Sequence, residues 1–168
     1  NMKHYIILKP EYQNTGSVAL YAPYDAHISG IRAAPEHGLE GEIWLDGGNE
    51  WQFSVEHLLI LDSLEVGSFV RAGELLGYVP AREFDVVYAV GAEEPVEIDG
   101  WMSPFAALDS IFNHMSDDVL LDFQRFGVTD RQQLIYSKDY RDEYPCKYRD
   151  TQGGLNDLDH PEDWVILE

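Results

Sequence analysis

The sequence has a single cysteine, Cys146, among its 168 residues, so it can form no internal disulfide. Pro145 and Lys147 flank this cysteine without forming a nucleophile motif. No stretch reaches the ~20 apolar residues that a membrane-spanning helix requires. Residues 1–20 also lack the uninterrupted apolar core of a signal peptide. The sequence therefore predicts neither a disulfide framework nor a membrane span.

Positive charge is scarce as well. Lysine and arginine total 11 against 31 aspartate and glutamate residues, which gives a formal net charge of −20. Proteins bind nucleic acids and anionic lipids through clusters of basic side chains, and this sequence contains no such cluster. We therefore expect no nucleic-acid partner. The acidic surplus is typical of a soluble protein, and it leaves open a basic protein partner, a cationic substrate or a salty habitat.

Apolar residues make up 45% of the chain, which is enough to bury a core. Up to about residue 97, short apolar segments alternate with turn residues, a pattern typical of a β-sandwich or barrel. The segment Asp46-Gly47-Gly48-Asn49 predicts a hairpin turn, because these residues tolerate positive φ. The predicted strands cover residues 4–8, 18–21, 28–31, 42–45, 51–55 and 84–90.

After Gly100 the pattern becomes helical. Ser103 followed by Pro104 predicts the start of a first helix. Ser116 predicts the N-cap of a second helix, and Gly127 stands where a glycine would end it.

Four apolar residues of the second helix, Val119, Leu120, Phe123 and Phe126, form one face that needs a partner surface. Thr129 and Gln132 have capping-box spacing for a third short helix. Residues 136–162 are polar and predicted to be extended, and residues 164–167 form a last apolar segment that could add a strand.

The most informative segment is 65–79, Glu-Val-Gly-Ser-Phe-Val-Arg-Ala-Gly-Glu-Leu-Leu-Gly-Tyr-Val. Gly67 precedes a short apolar strand and Gly73 follows alanine in a tight turn, so both supply positive-φ positions. This is the pattern of a hammerhead-like corner. Such corners occur in lipoyl and biotinyl carriers, in sugar-phosphotransferase IIA domains and in lysostaphin-type peptidases. The carriers need a lysine at the hairpin tip, and no lysine lies between Lys9 and Lys138.

Two further segments narrow the choice. Residues 21–28, Tyr-Ala-Pro-Tyr-Asp-Ala-His-Ile, and residues 54–58, Ser-Val-Glu-His-Leu, resemble segments of the lysostaphin-type zinc peptidases in order and spacing. The resemblance implies a mainly β fold with some α, a barrel or sandwich of the duplicated hybrid motif type. We expect residues 1–97 to form this peptidase-like domain. We expect residues 98–168 to be a helical and irregular C-terminal extension packed on it as part of the same globule.

The zinc ligands that the resemblance implies are missing. The family's His-x-His strand corresponds to Asp85-Val86-Val87, so Asp85 replaces an assisting histidine and Val87 replaces a ligand. The family's upstream His-x-x-x-Asp motif is also absent: His4 is followed four residues later by Leu8, and a gapless placement gives Ile7 and Glu11. We therefore expect no zinc in the groove, no cofactor and no peptide hydrolysis. The candidate groove residues are Tyr21, Asp25, His57 and Asp85.

Three hypotheses for function follow. The first is a catalytically inactive peptidase-like module that binds or scaffolds a protein or cell-wall ligand, secreted or in the cell envelope. The second is a hydrolase with a rebuilt metal site, drawing on His57, Asp85, Asp25 and a histidine of the extension, His114 or His160. The third is an acidic inhibitor or immunity-type protein whose charge covers a basic partner surface.

Overall fold

The computed structural model of the protein describes residues 4–33, 40–98 and 101–143. Packing divides the chain into two compact units, Asn1–Ser110 and Ile111–Glu168. The described residues form nine strands and two α-helices, in chain order β1 His4–Ile7, β2 Val18–Tyr21, β3 Ala26–Ala33, β4 Gly41–Asp46, β5 Trp51–Ile60, β6 Phe69–Val70, β7 Leu75–Val79, β8 Glu83–Ile98, β9 Trp101–Asp109, α1 Asp117–Gln124 and α2 Lys138–Glu143. Among the described residues, no helix is long and apolar enough to cross a membrane.

The strands form one large antiparallel sheet in the order β1-β8-β5-β4-β3-β6, with β7 paired to β2 and β5, and β9 paired to β8. This confirms the predicted class, mainly β with helices in the C-terminal part. The sheet stays open and is not closed into a barrel. The strands predicted from the sequence up to residue 90 are all present, although β5 and β8 extend well beyond the predicted segments.

The centre of the sheet is built on the hairpin of β4 and β5. Asp46 Oδ1 accepts a hydrogen bond from the Gly48 amide at 2.8 Å, and Gly48 has a φ of 84°, as the predicted turn requires. One face of these strands and of β8 is apolar and buried, since alternate residues of a strand share a face. Its members include Ile43, Leu45, Phe53, Val55, Val86 and Tyr88. The opposite face carries the polar residues described below.

The predicted hammerhead-like corner consists of β6, β7 and the turn that precedes each of them. Gly67 and Gly73 have φ angles of 90° and 79°, so both glycines occupy the left-handed region that the pattern predicts. The Gly73 amide donates to the carbonyl of Ala22 at 2.9 Å, and Asp25 Oδ1 accepts from the amide of Ala72 at 2.8 Å. The corner is therefore tied to the segment that leads into β3.

The first predicted helix of the C-terminal part is wrong. Residues 101–109 form β9, which pairs with β8. Pro104 does not disturb the ladder because the register shifts there: Gly91 pairs with Phe105 and Val96 with Ser103, which leaves Pro104 at an irregularity. Proline is tolerated at such a bulge. The first compact unit consequently extends past residue 97 to Ser110.

The second unit begins at Ile111, and its α1 confirms the predicted helix. Ser116 is the N-cap, its side chain accepting from the Val119 amide at 3.3 Å, and Gly127 has a φ of 83°. The third helix is a short 3₁₀ turn whose capping box is one residue later than predicted, formed by Asp130 and Gln133.

Two other predictions concern the end of the chain. Residues 138–143, predicted as extended, form α2. The predicted strand at residues 164–167 lies outside the described residues.

Candidate functional site

The site is built around an extra residue in β5. Across the β4–β5 pairing, Gly41 pairs with Leu58 and Glu42 pairs with Glu56. No residue of β4 therefore pairs with His57, which forms a β-bulge. His57 has a φ of 62°, which is uncommon for a residue with a side chain. The bulge interrupts the alternation of side chains between the two faces of the sheet. The side chains of Glu56 and His57 therefore lie close together on one face.

A row of charged residues crosses the sheet at this level. Arg32 of β3 pairs with Glu42 of β4, Glu42 pairs with Glu56 of β5, and Glu56 pairs with Asp85 of β8. Directly paired residues in an antiparallel sheet point to the same face. We call Glu42, Glu56 and Asp85 the acidic row. The Arg32 guanidinium lies 2.7 Å from Glu42 Oε2 at its β3 end.

His57 stands between two carboxylates. Its Nδ1 is 2.7 Å from Glu40 Oε2, and its Nε2 is 3.6 Å from Asp85 Oδ2. The His57 side chain is 40% exposed whereas that of Asp85 is 2% exposed. The imidazole therefore forms the open side of the site and Asp85 its floor, and the short contact to Glu40 fixes the orientation of the ring.

The pKa of Glu42 in this row is raised above its ordinary value. Burial raises the pKa of Glu42, and the neighbouring negative charge of Glu56 raises it further, whereas Arg32 and a hydrogen bond with Trp44 act in the opposite direction. Glu42 and Glu56 are also joined by a side-chain hydrogen bond.

Three of these residues have the disposition of metal ligands. One donor atom each from Glu56, His57 and Asp85 lies within 4.8 Å of the other two. Nearby on β5, the Ser54 hydroxyl is fully buried and makes no hydrogen bond within the described part of the chain. Ser54 lies two residues before Glu56, before the bulge, so it points to the same face.

The structure brings together two of the four predicted groove residues. His57 and Asp85 lie on the neighbouring strands β5 and β8. Tyr21, at the end of β2, is 56% exposed, and Asp25 accepts from the corner at Ala72 and is not among the three possible metal ligands. The placement of Tyr21 and Asp25 in a groove with His57 stays a prediction.

The zinc site implied by the resemblance does not fit the residues present. Val87 is 3% exposed and has no lone pair to offer a metal. Upstream, His4 Nε2 lies 3.0 Å from the Ser110 hydroxyl, and Leu8 stands where the motif needs aspartate. Of the two histidines proposed to rebuild a site, His114 belongs to the second unit and His160 lies outside the described residues.

Sequence reasoning missed Glu40, Glu42 and Glu56. Glu56 directly precedes His57, and in a regular strand the two side chains would point to opposite faces of the sheet. The sequence therefore did not indicate that they belong to one site. Glu42 carried a usable signal, because a glutamate inside the apolar segment 41–45 must either face solvent or have partners. The structure shows a partner, since Glu42 is 5% exposed and its carboxylate contacts the Arg32 guanidinium.

No protein-family model and no curated protein matches the chain. Over part of its length it is similar to several solved structures, of which three are described. The crystal structure of CbpA from L. salivarius REN has 19% identity, covers 42% of this chain and 46% of that one, and gives a TM-score of 0.35. Csd3 of Helicobacter pylori has 15% identity, covers 70% of this chain and 33% of its own, and gives 0.38.

The solution structure of lysostaphin has 17% identity, covers 55% of this chain and 37% of that one, and gives a TM-score of 0.43. The chain thus spans less than half the length of each of these three proteins. Lysostaphin, which gives its name to the family that the sequence segments resemble, is among the solved structures to which this chain is similar.

Proposed function

We propose that the chain is a binding module that does not cleave peptide bonds, and that it binds a positively charged group at the acidic row beside His57. The observation that carries this proposal is the alignment of one carboxylate from each of three neighbouring strands on a single face. The acidic surplus of the whole chain adds a long-range field that attracts cations.

The chemistry of the row favours an ammonium or guanidinium group. Carboxylates accept charge-assisted hydrogen bonds from such groups, and these are stronger than neutral hydrogen bonds. Asp85 at the floor is shielded from water, which strengthens its attraction for a cation. The exposed edge of His57 leaves the site open to a ligand from solvent.

The absence of hydrolysis in this proposal rests on Val87. Peptidases of the resembled family need three protein ligands on zinc, and a buried valine cannot replace one of them. The ligand is accordingly a peptide with a free amine, from a protein partner or from the cell wall. A secreted or envelope location belongs to the same proposal and derives from the family resemblance.

The test compares a lysine-containing peptide with the same peptide acetylated on its lysines, because acetylation removes the charge. Fluorescence anisotropy measures the affinity for wild type, for a Glu56→Gln/Asp85→Asn double variant, and for a Glu11→Gln/Glu65→Gln control that removes two exposed carboxylates elsewhere. We expect the site variant to lose about tenfold or more in affinity and the control about twofold or less.

Equal losses in the two double variants would mean that net charge alone attracts the peptide, and the proposal would be wrong. Mass spectrometry of the peptide and of soluble cell-wall fragments after incubation with the protein tests the claim that the chain does not cleave peptide bonds. We expect both to remain intact.

A hydrolase with a rebuilt metal site is the second candidate, favoured by the approach of Glu56 to His57 and Asp85. It predicts peptide cleavage that needs added zinc and that disappears in a His57→Asn variant. Such cleavage would replace the binding proposal.

A further inference from the structure

We propose that the acidic row takes a divalent transition-metal ion, held by Glu56, His57 and Asp85. The inference rests on the proposed function in one respect, that the acidic row is a site for cations. The three ligands come from two adjacent strands and are not the positions at which the family resemblance expects zinc ligands.

The distances favour a metal over a direct contact. His57 Nε2 and Asp85 Oδ2 are 3.6 Å apart, which is too long for a hydrogen bond. Two ligands bound tetrahedrally at about 2.1 Å from a metal lie about 3.4 Å from each other. The donor atoms of Glu56, His57 and Asp85 are all within 4.8 Å, so a small movement of the half-buried Glu56 and His57 side chains toward Asp85 completes the set.

Glu40 supplies the support that a metal-binding imidazole needs. Metal-bound histidines usually donate their second ring N–H to a carboxylate or a carbonyl, which fixes the tautomer. Glu40 Oε2 is 2.7 Å from Nδ1 of His57. When Nδ1–H donates to Glu40, Nε2 carries a lone pair directed toward Asp85, where the ion would sit.

The donor types select the ion. Imidazole suits zinc and other transition metals, whereas calcium and magnesium prefer oxygen ligands alone. Two carboxylates balance the charge of a divalent cation, and three protein ligands leave at least one position for water or a ligand atom. The buried Ser54 hydroxyl, on the same face and without a hydrogen bond among the described residues, is a further polar group at this level of the sheet.

The experiment titrates metal-free protein with zinc chloride in a calorimeter and follows the His57 ring nitrogens by NMR. We expect one zinc per chain, a shift of the His57 Nε2 resonance, and much weaker binding of calcium chloride. His57→Asn, which keeps a residue that tolerates positive φ, should weaken zinc binding at least about 100-fold, and Glu40→Gln about 10- to 100-fold. His27→Asn, at an exposed histidine of β3, serves as the control and should leave the affinity unchanged.

Glu56→Gln gives a second ligand variant at a half-buried position, should replacement of the buried Asp85 prevent folding. Zinc binding that is unchanged in both His57→Asn and Glu56→Gln would overturn the inference. The lysine-peptide titration in the presence of a chelator separates the two proposals. Peptide binding without zinc binding would support the proposed function and contradict the metal site. Zinc binding without peptide binding would support the metal site and contradict the proposed function.

Discussion

The backbone of His57 places a non-glycine residue at positive φ within a strand. The left-handed conformation costs an L-residue about 1–2 kcal/mol because Cβ approaches the following carbonyl oxygen. Such residues persist where the surrounding structure fixes them, and they concentrate at functional sites. Here the strained residue is also the one that contacts Glu40 and faces Asp85.

We predict that His57→Gly is as stable as wild type or more stable, while His57→Val loses about 1–2 kcal/mol relative to His57→Asn. Glycine relieves the strain, and a β-branched side chain increases it. Urea unfolding measures the difference. Gln52→Val in the regular part of β5 is the control and should be neutral, since valine suits a strand. Equal stabilities of the valine and asparagine variants at residue 57 would contradict the bulge.

His4 gives a pH dependence that can be isolated. Burial lowers the pKa of His4 below its ordinary value of 6.5, and the charge of Asp109 only partly offsets this. The folded state therefore binds fewer protons than the unfolded state. The stability contributed by neutral His4 is complete above pH 6.5 and is lost as the pH falls through the lowered pKa of the folded state.

We predict that the free energy of unfolding falls less between pH 7.5 and pH 5 in His4→Gln than in wild type. Glutamine retains a hydrogen-bonding group near the Ser110 hydroxyl but does not titrate. His27→Gln, at an exposed histidine, should follow the wild-type profile. A His4→Gln profile identical to wild type would show that burial of His4 does not contribute to acid sensitivity.

The individual site residues were only partly predictable. His57 and Asp85 followed from a motif, because the segments around them resemble known ones. Glu40 could not be found, since it lies 17 positions before His57 and meets it only after the hairpin forms. Glu56 was hidden by the bulge, whose presence depends on pairing with β4 and not on local sequence.

At the scale of elements, the antiparallel pairing of β5 with β7 depends on Gly77. A Cβ at this residue would lie 2.1 Å from the carbonyl oxygen of Leu59, and backbone cannot yield as a flexible side chain does. We predict that Gly77→Ala loses at least about 2–3 kcal/mol, measured by urea unfolding. Gly91→Ala, with no heavy atom within 4 Å of the added Cβ, should change stability by less than about 0.5 kcal/mol. Similar losses at both positions would contradict this packing.

The start of α1 depends on Arg131. Its Nη1 donates to the carbonyls of Phe112, Asn113 and Met115 at 2.9, 3.2 and 2.6 Å. Its Nη2 donates to Asp117 at 3.0 Å. One guanidinium thus holds the turn that precedes the helix.

We predict that Arg131→Met destabilises this segment by about 1–3 kcal/mol, because several carbonyls lose a charged donor. Amide hydrogen exchange of α1 measures the effect. Arg125→Met is the control, since the guanidinium of Arg125 lies over the Phe126 ring and should contribute less than about 1 kcal/mol. Unchanged amide exchange in Arg131→Met would show that the first turn of α1 is stable without the Arg131 side chain.

Elements with strong turn chemistry were predicted well and weak local signals were not. The hairpin at Gly48 and the corner at Gly67 and Gly73 require positive φ, so their sequences limit the alternatives. Ser103-Pro104 is compatible with a helix start and equally with an edge-strand irregularity, and pairing with β8 decided between them. Tertiary pairing therefore overrode a local preference.

At the scale of the whole molecule, two truncations separate the contributions of β9 and of the second unit. Ending the chain after Gly100 removes β9 and leaves Tyr88–Val90 without partners on that side, whereas ending it after Ser110 keeps all nine strands. We predict a lower urea midpoint for both, with the larger loss in the shorter chain. An unchanged midpoint for residues 1–110 would make residues 111–168 an independent appendage, contrary to the expectation that the C-terminal extension is integral.

The row of paired residues from Arg32 to Asp85 has a thermodynamic consequence. Each strand supplies one group, and a slip of one residue in any pairing would turn that group to the opposite face. The proposed binding surface therefore exists only when four strands are in their native register. A ligand that binds there raises the free energy required to open the entire sheet by RT ln(1 + [L]/Kd). Amides distributed over all four strands should consequently gain protection from exchange together when the row is occupied.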